Sequence, residues 1–151
     1  MSESKQRPLD LVQFKVVSLV LNEVAELPSD YKVQYEYNIA VEIHQNMTHL
    51  RIILDVRASI MGTGIEVAKI QTASQFQLHR PRIKKKDGAY VIRRHATIKA
   101  IEQAISTTRG ALVVLSPGKP TSVKPMPIFN PNEISFPDPL IIESKDQVSD
   151  T

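Results

Sequence analysis

Four histidines are the side chains in this sequence best suited to acid–base chemistry or metal binding, and they lie at positions 44, 49, 79 and 95. A turn centred on Asn46-Met47 would place His44 opposite His49, a geometry that allows a weak surface site for a metal ion. Two solvated loop histidines explain the same pattern more simply. Cysteine is absent, which excludes thiol nucleophiles and thiolate metal sites. The sequence therefore predicts no metal site and no cofactor.

The motifs that usually carry catalysis are missing. The turn Gly62-Thr63-Gly64 is not a dinucleotide-binding fingerprint, because Val67 stands where the third glycine is required. The sequence contains no G-x-x-x-x-G-K-[ST] phosphate loop and no G-x-S-x-G nucleophile elbow. No carboxylate pair and no Ser/His/Asp set stands out. We therefore expect a protein that is not an enzyme.

Charge is unevenly distributed, although the net charge of the chain is only +3. Residues 80–99 carry eight basic side chains against one acid, whereas residues 133–151 carry five acids against one lysine. The basic stretch at residues 80–94 could contact phosphate, but Tyr90 is its single aromatic side chain for stacking on bases. A solvated loop with an Asp87-Gly88 turn is the favoured interpretation, and nucleic-acid binding is an alternative.

Length and composition predict one domain that spans residues 1–151. A chain of 151 residues with 42% hydrophobic residues can bury a sizeable core. We expect mobile ends at residues 1–9 and 143–151. No run approaches the roughly 20 apolar residues of a membrane span, and residues 1–8 lack the apolar stretch of a secretory signal. We therefore expect a cytoplasmic protein that does not insert into membranes.

Strict alternation of apolar residues predicts a long β-hairpin. Apolar side chains occupy the odd positions of residues 33–43 and the even positions of residues 50–60. The turn at Asn46-Met47 then pairs Glu42 with Arg51 and Glu36 with Arg57, so both opposite charges meet on the polar face. A third strand should follow at residues 65–78, with a bulge near Val67-Ala68 where the apolar positions change parity.

A strand is also predicted before the hairpin, at residues 14–21, and it is apolar on both faces. Alternation places Val17, Leu19 and Leu21 on one face, with Val16 and Val20 on the other. We expect a helix or another subunit to cover each face.

A helix is predicted at residues 96–109 from isoleucines and alanines spaced at 3.6 residues, and Gly110 should end it. Residues 111–115 then form a strand or a buried extension. Seven of the ten prolines fall between residues 117 and 139, which excludes a long helix or a central strand there.

The order of these elements resembles the SecB family of export chaperones over residues 11–134. The matching parts are the first strand, the hairpin, a strand ending in Gln75-Phe76-Gln77-Leu78 and a helix ending in Thr108-Arg109-Gly110. The stretch Pro127-Ile128-Phe129-Asn130 is similar to the Pro-x-Asn-Phe-like segment of that family, with Phe before Asn.

The resemblance implies an α+β fold: a four-stranded antiparallel sheet packed by one main helix, with an irregular Pro-rich C-terminal segment. It also implies a homo-oligomer, either a dimer or a tetramer, that binds unfolded polypeptides in apolar grooves without ATP and serves protein export. Residues 111–124 look like an insertion, and Pro137 and Pro139 interrupt the region of the second helix of that family. These departures favour an alternative, a dedicated structural or interaction subunit for one specific protein partner.

A protein that binds unfolded chains needs exposed apolar surface and unpaired strand edges. The candidates for polypeptide binding or for a subunit interface are Val16, Val17, Leu19, Leu21, Ile53, Ile128 and Phe129. The first strand is more typical of a subunit interface than of a client site. The pair Ile128-Phe129 is more typical of a strut that closes the core.

Overall fold

The computed structural model describes residues 9–43, 49–78, 83–86, 89–92, 94–128, 130 and 140–143. In chain order the elements are β1 (Leu9–Leu21), β2 (Val33–Ile43), β3 (His49–Ile60), β4 (Glu66–Leu78), β5 (Ile83–Lys86), β6 (Ala89–Ile92), α1 (Arg94–Leu115), α2 (Pro120–Val123) and β7 (Leu140–Glu143). Most of the two ends predicted to be mobile lies outside the described residues. Leu9 and Glu143 are the exceptions, since β1 begins at Leu9 and β7 ends at Glu143.

The main sheet is antiparallel and has the strand order β1-β4-β3-β2, with α1 as its main helix. This is the predicted α+β architecture. The predicted hairpin register is also confirmed, because Val33 pairs with Ile60 at one end and Ile43 pairs with Leu50 at the other. Glu42 and Arg51 form the expected ion pair at 3.8 Å. Arg57 lies opposite Glu36 but directs its Nε to Glu66 of β4, at 2.9 Å.

A β-bulge in β4 lies where the sequence predicts it. Ala58 pairs with Ala68 and Ser59 pairs with Glu66, so Val67 is the extra residue of the bulge. The bulge allows the neighbouring residues Val67 and Ala68 both to lie buried. The alternation of buried residues along β4 therefore changes between odd and even positions at this point.

Two bulges in β1 correct the predicted division of its apolar residues. The register shifts at Val12 and again at Val17. After the second shift the inward row passes from Val16 to Leu19 and Leu21, which pack against the core together. The sequence assigned Val16 and Leu19 to opposite faces because simple alternation does not foresee an extra residue.

Helix α1 is longer at both ends than predicted, and Gly110 does not end it. Residues 111–115 belong to the helix, so the alternative of a strand there is wrong. Glycine costs about 1 kcal/mol in a helix interior, whereas burying Leu112 two residues later stabilises by about 2 kcal/mol. Burial therefore outweighs the glycine, and the helix continues.

The helix packs across β3, β4 and β1. Its alanines at 96, 100 and 104 are buried against the sheet, together with Ile101, Ile105 and Leu112. Small side chains on this face allow the helix backbone to approach the strands closely. Thr108 of the helix and Thr72 of β4 satisfy each other inside this contact, with 2.8 Å between their hydroxyl oxygens.

The chain turns back after α1 and returns to the sheet. Gly118 has a φ of 75° in the turn, and Pro120 opens the short helix α2. Thr121 donates a hydrogen bond to the Oγ of Ser116, which ties α2 to the end of α1. Residues 124–128 then continue without regular structure.

A second, three-stranded sheet has the order β5-β6-β7. It corrects the interpretation of the basic stretch as a loop, because residues 83–86 and 89–92 are paired strands on either side of Asp87-Gly88. The lysine run hid this hairpin, since three consecutive lysines show no apolar alternation. No helix within the described ranges is long and apolar enough to cross a membrane.

Gly110 and Gly118 form a matched pair for testing the course of α1. Open space surrounds the position of an added Cβ at both residues, but only Gly118 has a positive φ. We expect Gly110→Ala to raise the free energy of unfolding by about 0.5–1 kcal/mol, and Gly118→Ala to lower it by about 1 kcal/mol. Urea unfolding measures both. A loss of stability in Gly110→Ala would contradict a helix that runs through this residue.

Candidate functional site

The inward-facing side chains of β2 form an apolar row that α1 leaves partly uncovered. This β2 row consists of Tyr35, Tyr37, Ile39, Val41 and Ile43. Each packs against the core, yet each is only half-buried. Their partners across the hairpin, from Leu50 to Ala58, are fully buried. The row therefore combines a rigid backbone with apolar side chains that retain accessible surface.

One end of the β2 row is occupied by the returning chain. The Tyr35 hydroxyl donates a hydrogen bond to the backbone carbonyl of Lys124 at 2.6 Å. The Nε of Arg109, on α1, donates to the backbone carbonyl of Met126, also at 2.6 Å. The Met126 side chain is 1% exposed and belongs to the same core cluster. Residues 124–126 are thus held between β2 and α1.

Lys124 adds a contact that depends on its side chain. Its Nζ donates a hydrogen bond to the backbone carbonyl of Tyr31 and lies 4.4 Å from the centroid of the Tyr31 ring. The second contact is a cation–π interaction. We refer to Tyr31, Tyr35, Arg109 and Lys124 together as the clasp.

The surroundings of Tyr35 shift the pKa of its phenol. Burial raises the pKa of the Tyr35 phenol above its ordinary value of 10.0, and the neighbouring Tyr37 and Tyr31 raise it further. Arg109 opposes these effects, because a cation favours the phenolate. The pKa stays raised on balance, so Tyr35 remains a hydrogen-bond donor throughout the physiological pH range.

The outer edge of β1 is a second accessible apolar region. Val17 is 45% exposed and Val20 is 50% exposed, whereas Val16, Leu19 and Leu21 are half-buried and face the core. Among the described strands, β1 pairs with β4 alone. The structure therefore divides the first-strand candidates into core residues and surface residues.

The remaining candidates from the sequence do not gather at one place. Ile53 is half-buried on the outer face of the sheet, opposite Ala40 and Ala73. Ile128 is 83% exposed, just beyond the clasp. Phe129 lies outside the described residues, as does His44 of the histidine pair. Within the described ranges, no group of three or more His, Cys, Asp or Glu side chains could hold a metal ion.

Sequence reasoning missed the β2 row and the clasp as parts of a site. The alternation in β2 signalled one buried face, but alternation does not tell whether a strand is central or at an edge. Arg109 was treated as part of a helix end, and Lys124 as part of an insertion. The proline spacing at 125 and 127 was the one local signal that an extended segment follows α2.

A comparison with solved structures identifies the fold. No protein-family model matches the sequence, and no curated protein matches it either. Among solved structures, the chain is similar to the Rv1957 SecB-like chaperone of Mycobacterium tuberculosis, solved in complex with a ChAD peptide from the Rv1956 HigA1 antitoxin. The TM-score is 0.54 at 12% sequence identity, over 82% of this chain and 88% of that one. The fold is therefore SecB-like.

The raised pKa of Tyr35 predicts a stability change in alkaline solution. The folded state holds the phenol proton more tightly than the unfolded state, so the stabilisation is complete below about pH 10 and is lost as the pH rises further. We expect the free energy of unfolding to fall more steeply above pH 10 in the natural protein than in Tyr35→Phe, by up to about 1.4 kcal/mol per pH unit. Urea unfolding between pH 9 and 11.5 measures this difference. Parallel curves would contradict the buried, hydrogen-bonded phenol.

Proposed function

We propose that this protein binds extended or unfolded polypeptides without ATP, in the manner of a chaperone, and that the β2 row is the apolar part of its binding site. The observation that carries the proposal is the half-burial of every inward-facing side chain of an edge strand. The SecB-like fold supports it, because the structural neighbour is a SecB-like chaperone bound to a peptide. A non-enzymatic role, a cytoplasmic location and a part in protein export belong to the same proposal.

An edge strand with an apolar row suits an extended client. Among the described strands, β2 pairs with β3 alone, so its other side can offer backbone donors and acceptors to an added strand. Alternate side chains of the client then face the β2 row and the solvent. Main-chain hydrogen bonds carry no sequence preference, which fits a binding protein with many clients.

The expected affinity of one such site is low. Complete burial of an aliphatic side chain is worth about 1.5–3 kcal/mol, so the half that remains accessible offers on the order of 1 kcal/mol for each. Five side chains therefore offer roughly 5 kcal/mol, before the cost of ordering the client is subtracted. Even before that cost, about 5 kcal/mol corresponds to a dissociation constant of only about 0.2 mM for one segment, and the cost of ordering weakens binding further. Tight holding of a long client thus requires several sites at once.

The need for several binding sites at once supports a homo-oligomer, either a dimer or a tetramer. We propose the outer edge of β1 as the contact surface between its subunits. Val17 and Val20 expose apolar surface there. Two bulges interrupt the edge, so a continuous backbone ladder to a second copy is unfavourable. The proposed contact is therefore made by the valine side chains. Single-chain proteins normally protect such an edge.

A dedicated role with one specific partner is the second candidate. The structural neighbour was solved with a peptide from one named antitoxin, which favours this candidate over a general holdase. The course of the chain after Gly110, which provides Lys124 of the clasp, supports it as well. Affinity capture from a native lysate separates the two candidates. One stoichiometric partner supports the dedicated role, and a broad set of unfolded clients supports the general one.

Replacing apolar side chains in the β2 row should weaken client binding. We expect the double variant Ile39→Ser, Val41→Ser to protect an unfolded client from aggregation about thirtyfold less well, because two apolar contacts of on the order of 1 kcal/mol each are lost. Ala40→Ser, between them on the outer face, is the matched control and should protect like the natural protein. The measurement is light scattering of a refolding client over a range of chaperone concentrations. If the natural protein in excess delays no client, the holdase role is wrong.

Charges at the β1 edge should lower the oligomeric state. We expect Val17→Lys, Val20→Lys to reduce the mass measured by light scattering on a sizing column, because lysine at a buried contact is unfavourable. Asn38→Lys, Ala40→Lys adds the same charge to exposed positions of β2 and should leave the mass unchanged. An unchanged mass in the β1 variant would place the subunit contact elsewhere.

A further inference from the structure

The clasp holds the chain's own segment through groups that any polypeptide has. Tyr35 and Arg109 donate their hydrogen bonds to backbone carbonyls, those of Lys124 and Met126. Neither bond depends on the identity of the residue that accepts it. The two donors come from different elements, β2 and α1, so they define a fixed place for an extended backbone between the strand and the helix.

Two prolines limit how tightly the segment can bind there. Pro125 and Pro127 flank Met126, and neither has a backbone N–H. The segment can therefore accept hydrogen bonds along its length but has no N–H to donate at these two alternate positions, so it can pair with a neighbouring strand less completely than an ordinary segment can. An ordinary client segment has the donors that this segment lacks. It can make the same two contacts and add backbone bonds to β2.

The segment also has the composition of an apolar client. Met126, whose carbonyl accepts the bond from Arg109, is buried in the core cluster, while Ile128 is 83% exposed. Lys124 adds a polar anchor through its side chain, which contacts the Tyr31 carbonyl and ring. This anchor is separate from the two donors, so the two can be altered independently.

We propose that Tyr35 and Arg109 are backbone-binding residues of the polypeptide site, and that residues 124–128 form an internal strap that occupies them until an extended client displaces it. This inference rests on the proposed function and adds to it a binding role for two polar residues and a means of autoinhibition. The occupied state lowers the apparent affinity for the client by the fraction of molecules in which the strap is released. The Lys124 anchor sets that fraction.

Two variants and their combination test the strap. Lys124→Ala loosens the strap and keeps both donors, so it should bind a fluorescein-labelled, reduced and carboxymethylated unfolded protein about fivefold more tightly. Tyr35→Phe removes a donor from strap and client alike, so the two losses offset each other and its affinity for the same probe should change little. In the Lys124→Ala background the strap is already loosened, so adding Tyr35→Phe should weaken probe binding about fivefold. If the clasp had a purely structural role, Tyr35→Phe would change probe binding equally in both backgrounds. Fluorescence anisotropy gives the affinities, and urea unfolding verifies that all three variants are folded.

A reversible cross-link gives a second test that does not rely on side-chain removal. The chain contains no cysteine, so Tyr31→Cys, Lys124→Cys provides the only two thiols. Joining them with a flexible, reducible linker pins the strap to its place. We expect probe binding to be lost on cross-linking and to return on reduction. Unchanged binding in the cross-linked protein would overturn the strap.

The β2 variant Ile39→Ser, Val41→Ser separates a failure of the strap from a failure of the proposed function. If this variant weakens probe binding but Lys124→Ala does not strengthen it, the site stands and the strap is wrong. If it leaves probe binding unchanged, the proposed site itself is wrong. A synthetic peptide of residues 122–130 gives an additional check, because it should compete with the probe when the strap proposal holds.

Discussion

A single α-helix is about 10 Å wide, whereas four paired strands at about 4.8 Å spacing span nearly twice that width. One helix can therefore cover only part of this sheet: α1 packs across β3, β4 and β1, and it leaves the edge strand β2 less covered. The burial of the sheet follows this limit: the inward residues of β3 and β4 are fully buried, while those of β2 are half-buried without exception. The half-buried apolar surface of β2 arises from this mismatch between one helix and four strands.

Small alanines and two hydrogen-bonded threonines allow α1 to pack closely against the sheet. The helix lies close to the sheet because Ala96, Ala100 and Ala104 face it, and Thr72 and Thr108 satisfy each other in the contact. A helix with larger residues would stand farther from the sheet and would cover more of β2 with its side chains. Close packing over the centre thus leaves the edge strand accessible.

The clasp provides a hydrogen-bond partner for the polar side-chain group at the end of the β2 row, the Tyr35 hydroxyl. Tyr35 brings a phenol hydroxyl into a half-buried apolar surface, and such a group needs a partner. The carbonyl of Lys124 provides it, and Arg109 fixes the same segment from the helix side. Hydrogen bonding through carbonyls alone suits a segment with proline at alternate positions. The proposed displacement of the segment rests on the same feature, because an ordinary chain has backbone donors at the positions where this segment has proline.

The sequence alone determined the elements whose partners are near in the chain. The alternation at residues 33–60 specified the hairpin and its register, because a slip by one residue would turn every apolar side chain to the wrong face. The parity change at Val67-Ala68 likewise specified the bulge in β4. The SecB-like order of strands and helix was visible from these patterns. The basic hairpin around Asp87-Gly88 escaped them, because lysines interrupted its alternation and its third strand, β7, lies about fifty residues farther along the chain.

Only the tertiary structure decided which apolar faces stay accessible. Val16 and Leu19 face the core together because a bulge intervenes, and the parity change that it causes is masked in the sequence because both faces of β1 carry apolar residues. The extension of α1 past Gly110 depends on the burial of Leu112, which exists only once the helix meets the sheet. Tyr35, Arg109 and Lys124 meet across distances of up to 89 residues in the chain. Local patterns report the period of an element, whereas exposure and long-range contacts depend on what packs against it.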